Sequence, residues 1–303
     1  MKKNKLITLD QAVLKALDFF SIKRPPHFNL KKINFPLVIG SGNAFNTGRA
    51  LFAEKPAIFA DESSLPIIIK KYHFLIKQNL IKQAVIINAS GEKDGPWEIK
   101  LAKKSGLHTT LLTCTPNSTS TKLADHSIIY DKLPEPYTYN VSTYLGMLFS
   151  KTKENPEQIL QFLKNLELPK NFKKYKAYAF IVPGEFEELK SLLEVKKGEL
   201  FGPHLALRAY TYGEARHAKF LNSWDKELVI SFGENEYFGK EKSRWEIKLP
   251  AKANLCFIMS LAYFLIGKMQ STIPPFFEKN VQNYCLEGPK AYGSDKAFSV
   301  IVQ

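Results

Sequence analysis

The chain has 303 residues, 45% of them hydrophobic and 13% aromatic, which excludes a disordered composition and leaves room for two lobes with real cores. Its 43 basic and 29 acidic residues give a net charge of +14, a balance that suits an anionic partner such as nucleic acid, a membrane surface or a phosphorylated small molecule. The lysines are spread along the whole chain, with only short runs such as Lys2-Lys3 and Lys173-Lys174. That pattern reads as a solvated surface and argues against a nucleic-acid footprint.

The three cysteines, Cys114, Cys256 and Cys285, are far apart and form no C-x-x-C pair. A disulfide framework and a structural zinc site are not expected, and a reducing, cytoplasmic compartment is. The charged start Met1–Lys5 leads into Asp10 without a continuous apolar core, unlike a signal peptide. The longest apolar run, Leu255–Gly267, is broken by Ser260. A bilayer span needs roughly 20 residues, so this run is read as a buried helix and no membrane partner is expected.

In chain order, Leu9, Val13, Leu14, Leu17 and Phe20 have helical spacing, with Asp10 near the helix start, and Pro25-Pro26 ends the element. A rhythm of short apolar runs follows: Phe35–Ile39, Ala57–Ala60, Ala84–Ile87, Thr109–Thr113 and Ser127–Tyr130, separated by helix-compatible stretches. Such alternation predicts a parallel sheet with helices on both faces. Helices are expected over Tyr137–Phe149 and Pro156–Leu166, with Lys151–Pro156 as a linker between them. A second strand series is expected at Tyr178–Val182, Leu205–Ala209 and Leu228–Phe232. The fold class is therefore α/β, two lobes each built as a three-layer α/β/α sandwich. Residues 1–150 would hold the N-terminal helix and first lobe, and residues 151–303 a more divergent second lobe with a C-terminal tail.

Ligands of open α/β sheets bind at the carboxyl ends of strands. The first such loop reads Gly40-Ser41-Gly42-Asn43-Ala44-Phe45. Its glycines allow a tight turn whose amides, with the next helix N-terminus, face an anion. A dinucleotide fingerprint is the rival, with Asp61 near the ribose-binding position, but Phe45 stands where the third glycine belongs. A turn without a ligand fits too. The second loop, Asn88-Ala89-Ser90-Gly91-Glu92-Lys93-Asp94-Gly95, combines a hydroxyl, a glycine, a lysine and a helix start. An ordinary helix cap is its alternative.

The order of these segments resembles the sugar-isomerase (SIS) domain family, in its double-SIS phosphosugar isomerase form. The resemblance is carried by Gly40-Ser41-Gly42, Ser90-Gly91-Glu92, the run Lys103–Thr113, Leu123-Ala124-Asp125, the loop Gly213-Glu214-Ala215-Arg216-His217 and the helix around Leu261–Leu265. It covers roughly Leu30 to Val281. It implies that Gly40, Ser41, Gly42, Asn43, Asn88, Ser90, Gly91, Glu92, Lys93 and the hydroxyl-rich loop with Thr115 hold a sugar phosphate. It makes His217 the ring-opening residue, Glu199 the proton-shuttling base with Glu214 as the second candidate, and Lys279 (or Lys296) the late lysine. On the residues alone, His217 fits a surface or capping role and either glutamate a solvated one. Asn43, Ala44, Asn88 and Lys93 stand where the family supplies serine or threonine, so fewer hydroxyl donors face the ligand. Lys93 would restore charge as a point cation.

Two functions remain open at this level. One is an aldose–ketose isomerase acting on a hexose or amino-sugar phosphate through an enediol, without metal or cofactor. The other is a sensor that binds a sugar phosphate without turning it over. A homodimer is implied by the resemblance. Glu214-x-x-His217 occurs once, too few for a di-metal bundle site, so no metal is expected.

Overall fold

Strands form where short apolar runs end in small or polar residues, and helices where the apolar period lengthens to 3.6. The computed structural model describes residues 6–218, 224–235, 237–270 and 276–303. The elements begin with α1 (Leu9–Ile22), β1 (Leu37–Gly40), α2 (Asn43–Leu51), β2 (Ile58–Ala60), α3 (Leu65–Lys71), α4 (His73–Lys77) and β3 (Gln83–Ile87). They continue with α5 (Gly95–Lys104), β4 (His108–Thr113), α6 (Thr119–Leu123), β5 (His126–Ile129), β6 (Glu135–Pro136), α7 (Val141–Phe149) and α8 (Pro156–Lys164). The remainder comprises β7 (Ala177–Val182), α9 (Lys190–Phe201), β8 (Ala206–Thr211), α10 (Tyr212–Ala215), β9 (Glu227–Phe232), β10 (Arg244–Ile247), α11 (Leu255–Gln270), α12 (Phe276–Glu287) and β11 (Ile301–Val302). The chain divides into two units: Lys23–Leu133 with Ser142–Lys153, and Met1–Ile22 with Pro134–Val141 and Glu154–Gln303.

In the unit that starts at Lys23, five parallel strands lie in the order β2-β1-β3-β4-β5. Register pairs Ile39 with Ile86 and Ile86 with Leu111. These three share one face with Leu65 and Ile69 of α3 and Ile99 and Ala102 of α5. Val38, one residue along β1, points the other way, as the period of two requires. There α2 lies so close that a Cβ on Gly48 would stand 2.8 Å from Val38 Cγ1. The helix after β1 and the helix after β3 thus cover opposite faces. That places a topological switch point between these two neighbouring strands, with a crevice outside their carboxyl ends.

The other unit has a second parallel sheet, ordered β10-β9-β7-β8. Ala179, Ile181 and Val229 pack with Ala215 on one of its faces. β6 and β11 form a small antiparallel pair, Ile301 opposite Pro136. The apolar run read as a buried helix is α11, and it is buried from Leu255 through Gly267. Glu154 caps it, its carboxylate accepting the backbone N–H groups of Asn254, Cys256 and Phe257 at 2.8–2.9 Å. No helix among the described residues is long and apolar enough to cross a membrane. The three cysteines are buried and are not joined in disulfides.

α1 packs on α11 and α8. The approach to α11 is closest at Gly267, where an added Cβ would overlap the backbone of Asp10. Beside it Lys268 Nζ lies 2.7 Å from Asp10 Oδ2. Gly267→Val is therefore expected to push α1 off α11, at about 1–3 kcal/mol or more for the overpacked contact. Limited proteolysis before residue 23 should accelerate while the far-ultraviolet spectrum of the sheets persists. Wild-type cleavage rates would contradict this account of the contact.

Candidate functional site

The loops after β1 and β3 meet the crevice at the switch point. Gly40 is buried, and a Cβ there would stand 2.9 Å from the backbone of Ala44, so only glycine lets the chain double back. Gly42, at φ 56°, occupies the N-cap of α2 and offers no side chain to cap it. Asn43 opens α2, and its carbonyl accepts the Thr47 hydroxyl at 2.8 Å. Ser41 Oγ is buried and has no hydrogen-bond partner.

The second loop is tied together by its own side chains. Asn88 Nδ2 donates to the Glu92 carbonyl, and Asn88 Oδ1 accepts both the Ser90 hydroxyl and the Gly91 N–H. Ser90 Oγ in turn accepts the Glu92 N–H, while the Glu92 carboxylate accepts the Thr119 N–H at 2.8 Å. Thr115 Oγ1 donates to the Ala89 carbonyl. Gly91 has φ 66°, and a Cβ there would overlap Ser118 Oγ. Asn88, Ser90, Gly91, Glu92 and Thr115 are thus brought together in one hydrogen-bonded loop, and the Asn88 amide is what knots it. Lys93 is exposed beside this loop at φ 57°. Asp61, the residue near a ribose-binding position, instead ties together the turn that leads into α3. Its Oδ1 accepts the Ser64 hydroxyl and N–H and the Ser63 hydroxyl, and the Ser64 hydroxyl leads in holding the carboxyl below its ordinary pKa.

The catalytic candidates lie in the second unit. Glu199, on α9, is 2.6 Å from Lys196 Nζ, one turn away. The Lys196 side chain is fully buried; it also donates to the Thr138 carbonyl, and its ammonium lies 5.6 Å from the centroid of the Tyr263 ring. Burial raises the pKa of both the Tyr137 and the Tyr284 phenols; Glu199 adds to it, as the second cause at Tyr284 and as the smallest at Tyr137, after Tyr284, Tyr292 and Cys285. Tyr137 stacks on Phe298 at 5.1 Å. Glu214 has a different environment. It closes a capping box with Thr211 at the start of α10 and pairs with Lys190. Burial pushes its carboxyl up, but the bonds from Lys190 and Thr211 outweigh burial and hold it below its ordinary pKa. His217 is exposed just after α10, its N–H donating to the Glu214 carbonyl. Lys279 is exposed on α12, and Lys296 is exposed near the C-terminus. The prolines Pro274 and Pro275, read with Lys279, lie outside the described residues.

Two groups escaped the sequence reading. Lys196 was visible only as a spacing of three from Glu199, a helical ion-pair signal. Glu98, the fourth residue of α5, is 1% exposed and stands near Ser41. Burial first, then Asp94, Glu62 and Asp61, push its carboxyl up to about 8, against a smaller opposing effect of Ser41.

No protein-family model matches the chain, and no curated protein matches its sequence. Solved structures do match its backbone. Glucosamine-6-phosphate deaminase from Thermotoga maritima superposes with a TM-score of 0.57 and 14% identity, over 87% of this chain and 92% of that one. Tagatose-6-phosphate ketose/aldose isomerase from Escherichia coli gives 0.56 and 13%, over 87% and 90%. The C-terminal domain of glucosamine-fructose-6-phosphate aminotransferase from Francisella tularensis gives 0.55 and 14%, over 86% and 92%. The chain has the SIS fold. At these identities the likeness is one of fold, and the two parallel sheets flanked by helices agree with the α/β/α lobes expected from the sequence.

Proposed function

We propose that the chain is a phosphosugar isomerase that interconverts the aldose and ketose forms of a hexose or amino-sugar phosphate through an enediol. The observation that carries this reading is the Glu199–Lys196 pair, a carboxylate held against a fully buried ammonium. The fold is shared with structures named for sugar-phosphate chemistry, which supports the substrate class.

In this reading Ser90, Lys93 and the amides of the two switch-point loops hold the phosphate. His217 passes a proton to the ring oxygen and removes one from the anomeric hydroxyl, opening the ring. Imidazole exchanges protons near neutral pH, as that step demands. Glu199 takes the proton from carbon 2 of the aldose, and the freed electron pair forms the carbon 1–carbon 2 double bond as the oxygen on carbon 1 gains a proton, giving the enediol. The same carboxyl then returns its proton to carbon 1 while the hydroxyl on carbon 2 gives up its proton and becomes the ketone, so the proton gained at one oxygen is matched by the one lost at the other. Lys196 holds Glu199 in place, while Lys279 lies near the ring oxygen. The reaction only relocates protons and an electron pair, so it needs no redox cofactor. The protein would act in the cytoplasm as a homodimer.

A second reading is favoured by the hydrogen bonds of Ser90 and Thr115, which are spent inside their loops. It is a sensor that binds the sugar phosphate without turnover. One experiment separates the two. Glucosamine 6-phosphate, fructose 6-phosphate and tagatose 6-phosphate are screened by thermal shift beside their unphosphorylated forms, since a ligand of the folded state raises its melting point. Exchange of the carbon-bound proton with deuterated solvent is then followed for the sugar that binds. The isomerase reading expects exchange that Glu199→Gln slows by about 10²–10⁴-fold, the usual contribution of a positioned base, with binding retained. Binding without exchange would make the protein a sensor, and no stabilisation by any phosphosugar would remove both readings.

A further inference from the structure

The crevice at the switch point rests on a group that the chemistry above does not use. Glu98 is buried in the first turns of α5, and its Oε1 has no hydrogen-bond partner. Ser41 Oγ, at the carboxyl end of β1, has none either, and Ser41 lies near enough to act on the Glu98 carboxyl. One turn back on the same helix, Gly95 faces the Asn88 amide and Ser120 Oγ of α6, each 2.5 Å from where its Cβ would stand. Ser120 Oγ is also buried without a partner. The charged groups that act on Glu98 are acidic: Asp94 from the start of α5, and Glu62 and Asp61 from the turn between β2 and α3. The lysines of α3, Lys70 and Lys71, are in its last turn, away from that junction, and the lysine of α6, Lys122, is exposed in the last turn of that helix. Of the strands beneath α5, β3 carries no titratable side chain, and β4 brings only His108, at its exposed first residue.

A carboxylic acid and a serine hydroxyl side by side have two ways to share protons. When the carboxyl is protonated, its O–H donates to Ser41 Oγ. The serine proton must then point elsewhere, toward the crevice beside the uncapped start of α2. When the carboxyl is ionised, it accepts the serine proton itself, and the crevice receives a lone pair above a buried negative charge. We propose that Glu98 is a positioning residue of the sugar-phosphate site: its acid proton fixes Ser41 as a donor to the ligand's oxyanion. The proposal rests on the phosphosugar reading and adds its regulation. Anion binding keeps the proton on Glu98, so ligand affinity falls when alkaline pH strips it. Burial and the three acidic neighbours hold that proton up to a pH of about 8.

The test is calorimetric binding of fructose 6-phosphate, with inorganic phosphate as a second probe, at pH 7.0 and 9.5. Fructose 6-phosphate, a phosphate monoester, is past its second ionisation near pH 6 at both values. Inorganic phosphate is still losing its second proton at pH 7.0 and is more negative at pH 9.5, so its own charge change works against the expected weakening. Wild type is expected to bind at least tenfold more weakly at pH 9.5. Glu98→Gln keeps a donor and cannot ionise, so its affinity should fall at least threefold less than that of wild type, the remaining decline being that of Lys93, whose pKa burial lowers. Ser41→Ala should show the weaker affinity already at pH 7.0 and only that same smaller decline. In the infrared, a carboxylic C=O band present in wild type at pH 7.0 should be missing from Glu98→Gln. Equal declines in wild type and Glu98→Gln would overturn the proposal and leave the phosphosugar reading standing, as would a full decline in Ser41→Ala. Failure of every protein to bind either probe would overturn both.

Discussion

Replacing Lys196 with alanine is expected to destabilise the second unit by about 3–5 kcal/mol, the range for removing one partner of a buried ion pair. The ammonium is shared between the Glu199 carboxylate and the Thr138 carbonyl, and the side chain is out of reach of water. Alanine removes the charge, both hydrogen bonds and the apolar stem together. Lys196→Met keeps most of the stem and is expected to lose less. Adding Glu199→Gln to Lys196→Met should recover part of that loss, because the carboxylate is then no longer left against an uncompensated interior. Urea unfolding of wild type, Lys196→Met, Glu199→Gln and the double variant measures the coupling directly. If the two single losses simply add in the double variant, the pair is not coupled and the lysine serves only as packing.

Glu98→Gln should do the opposite and stabilise the protein, increasingly so as pH rises. The sign follows from the raised carboxyl. An ordinary glutamate in the unfolded chain loses its proton near pH 4.5, whereas in the folded state Glu98 keeps it up to about 8. Between those values the folded state binds the extra proton, so stability falls as pH climbs through the window and levels off above it. At 1.36 kcal/mol per pKa unit the full difference is on the order of 4–5 kcal/mol. Glutamine has nothing to ionise and escapes the loss. Melting curves of both proteins from pH 4 to 9.5 should start together and diverge across the window. Parallel curves would mean that the carboxyl ionises freely in the folded state.

How much of this was legible in the sequence depends on how local the cause is. β1 and β3 could be read because each carries an apolar run closed by glycine or asparagine, a pattern set by burial on both faces. Arg244-Trp245-Glu246-Ile247 forms β10 at the sheet edge, where alternation with charged residues gives no such run. Glu214 was readable as a structural residue, since Thr211 three positions earlier makes a capping box. Lys196 and Glu98 were not. A lysine beside Lys197 looks solvated until the Thr138 carbonyl, 58 positions away, is placed on it. A glutamate next to Trp97 looks like part of an outward face, yet Glu98 is buried and Trp97 is the exposed one.

The interleaving of the two units bears on how the chain is made. A ribosome releases α1 early, but α11, the helix it packs on, comes some 230 residues later. At roughly 5–20 residues per second that is a wait of about 10–50 seconds. During that interval the segment from Lys23 to Lys153 has emerged and can close its own sheet. The apolar stripe of Leu9, Val13, Leu17 and Phe20 meanwhile has only α8 to lie against, and its cover is complete only when α11 arrives.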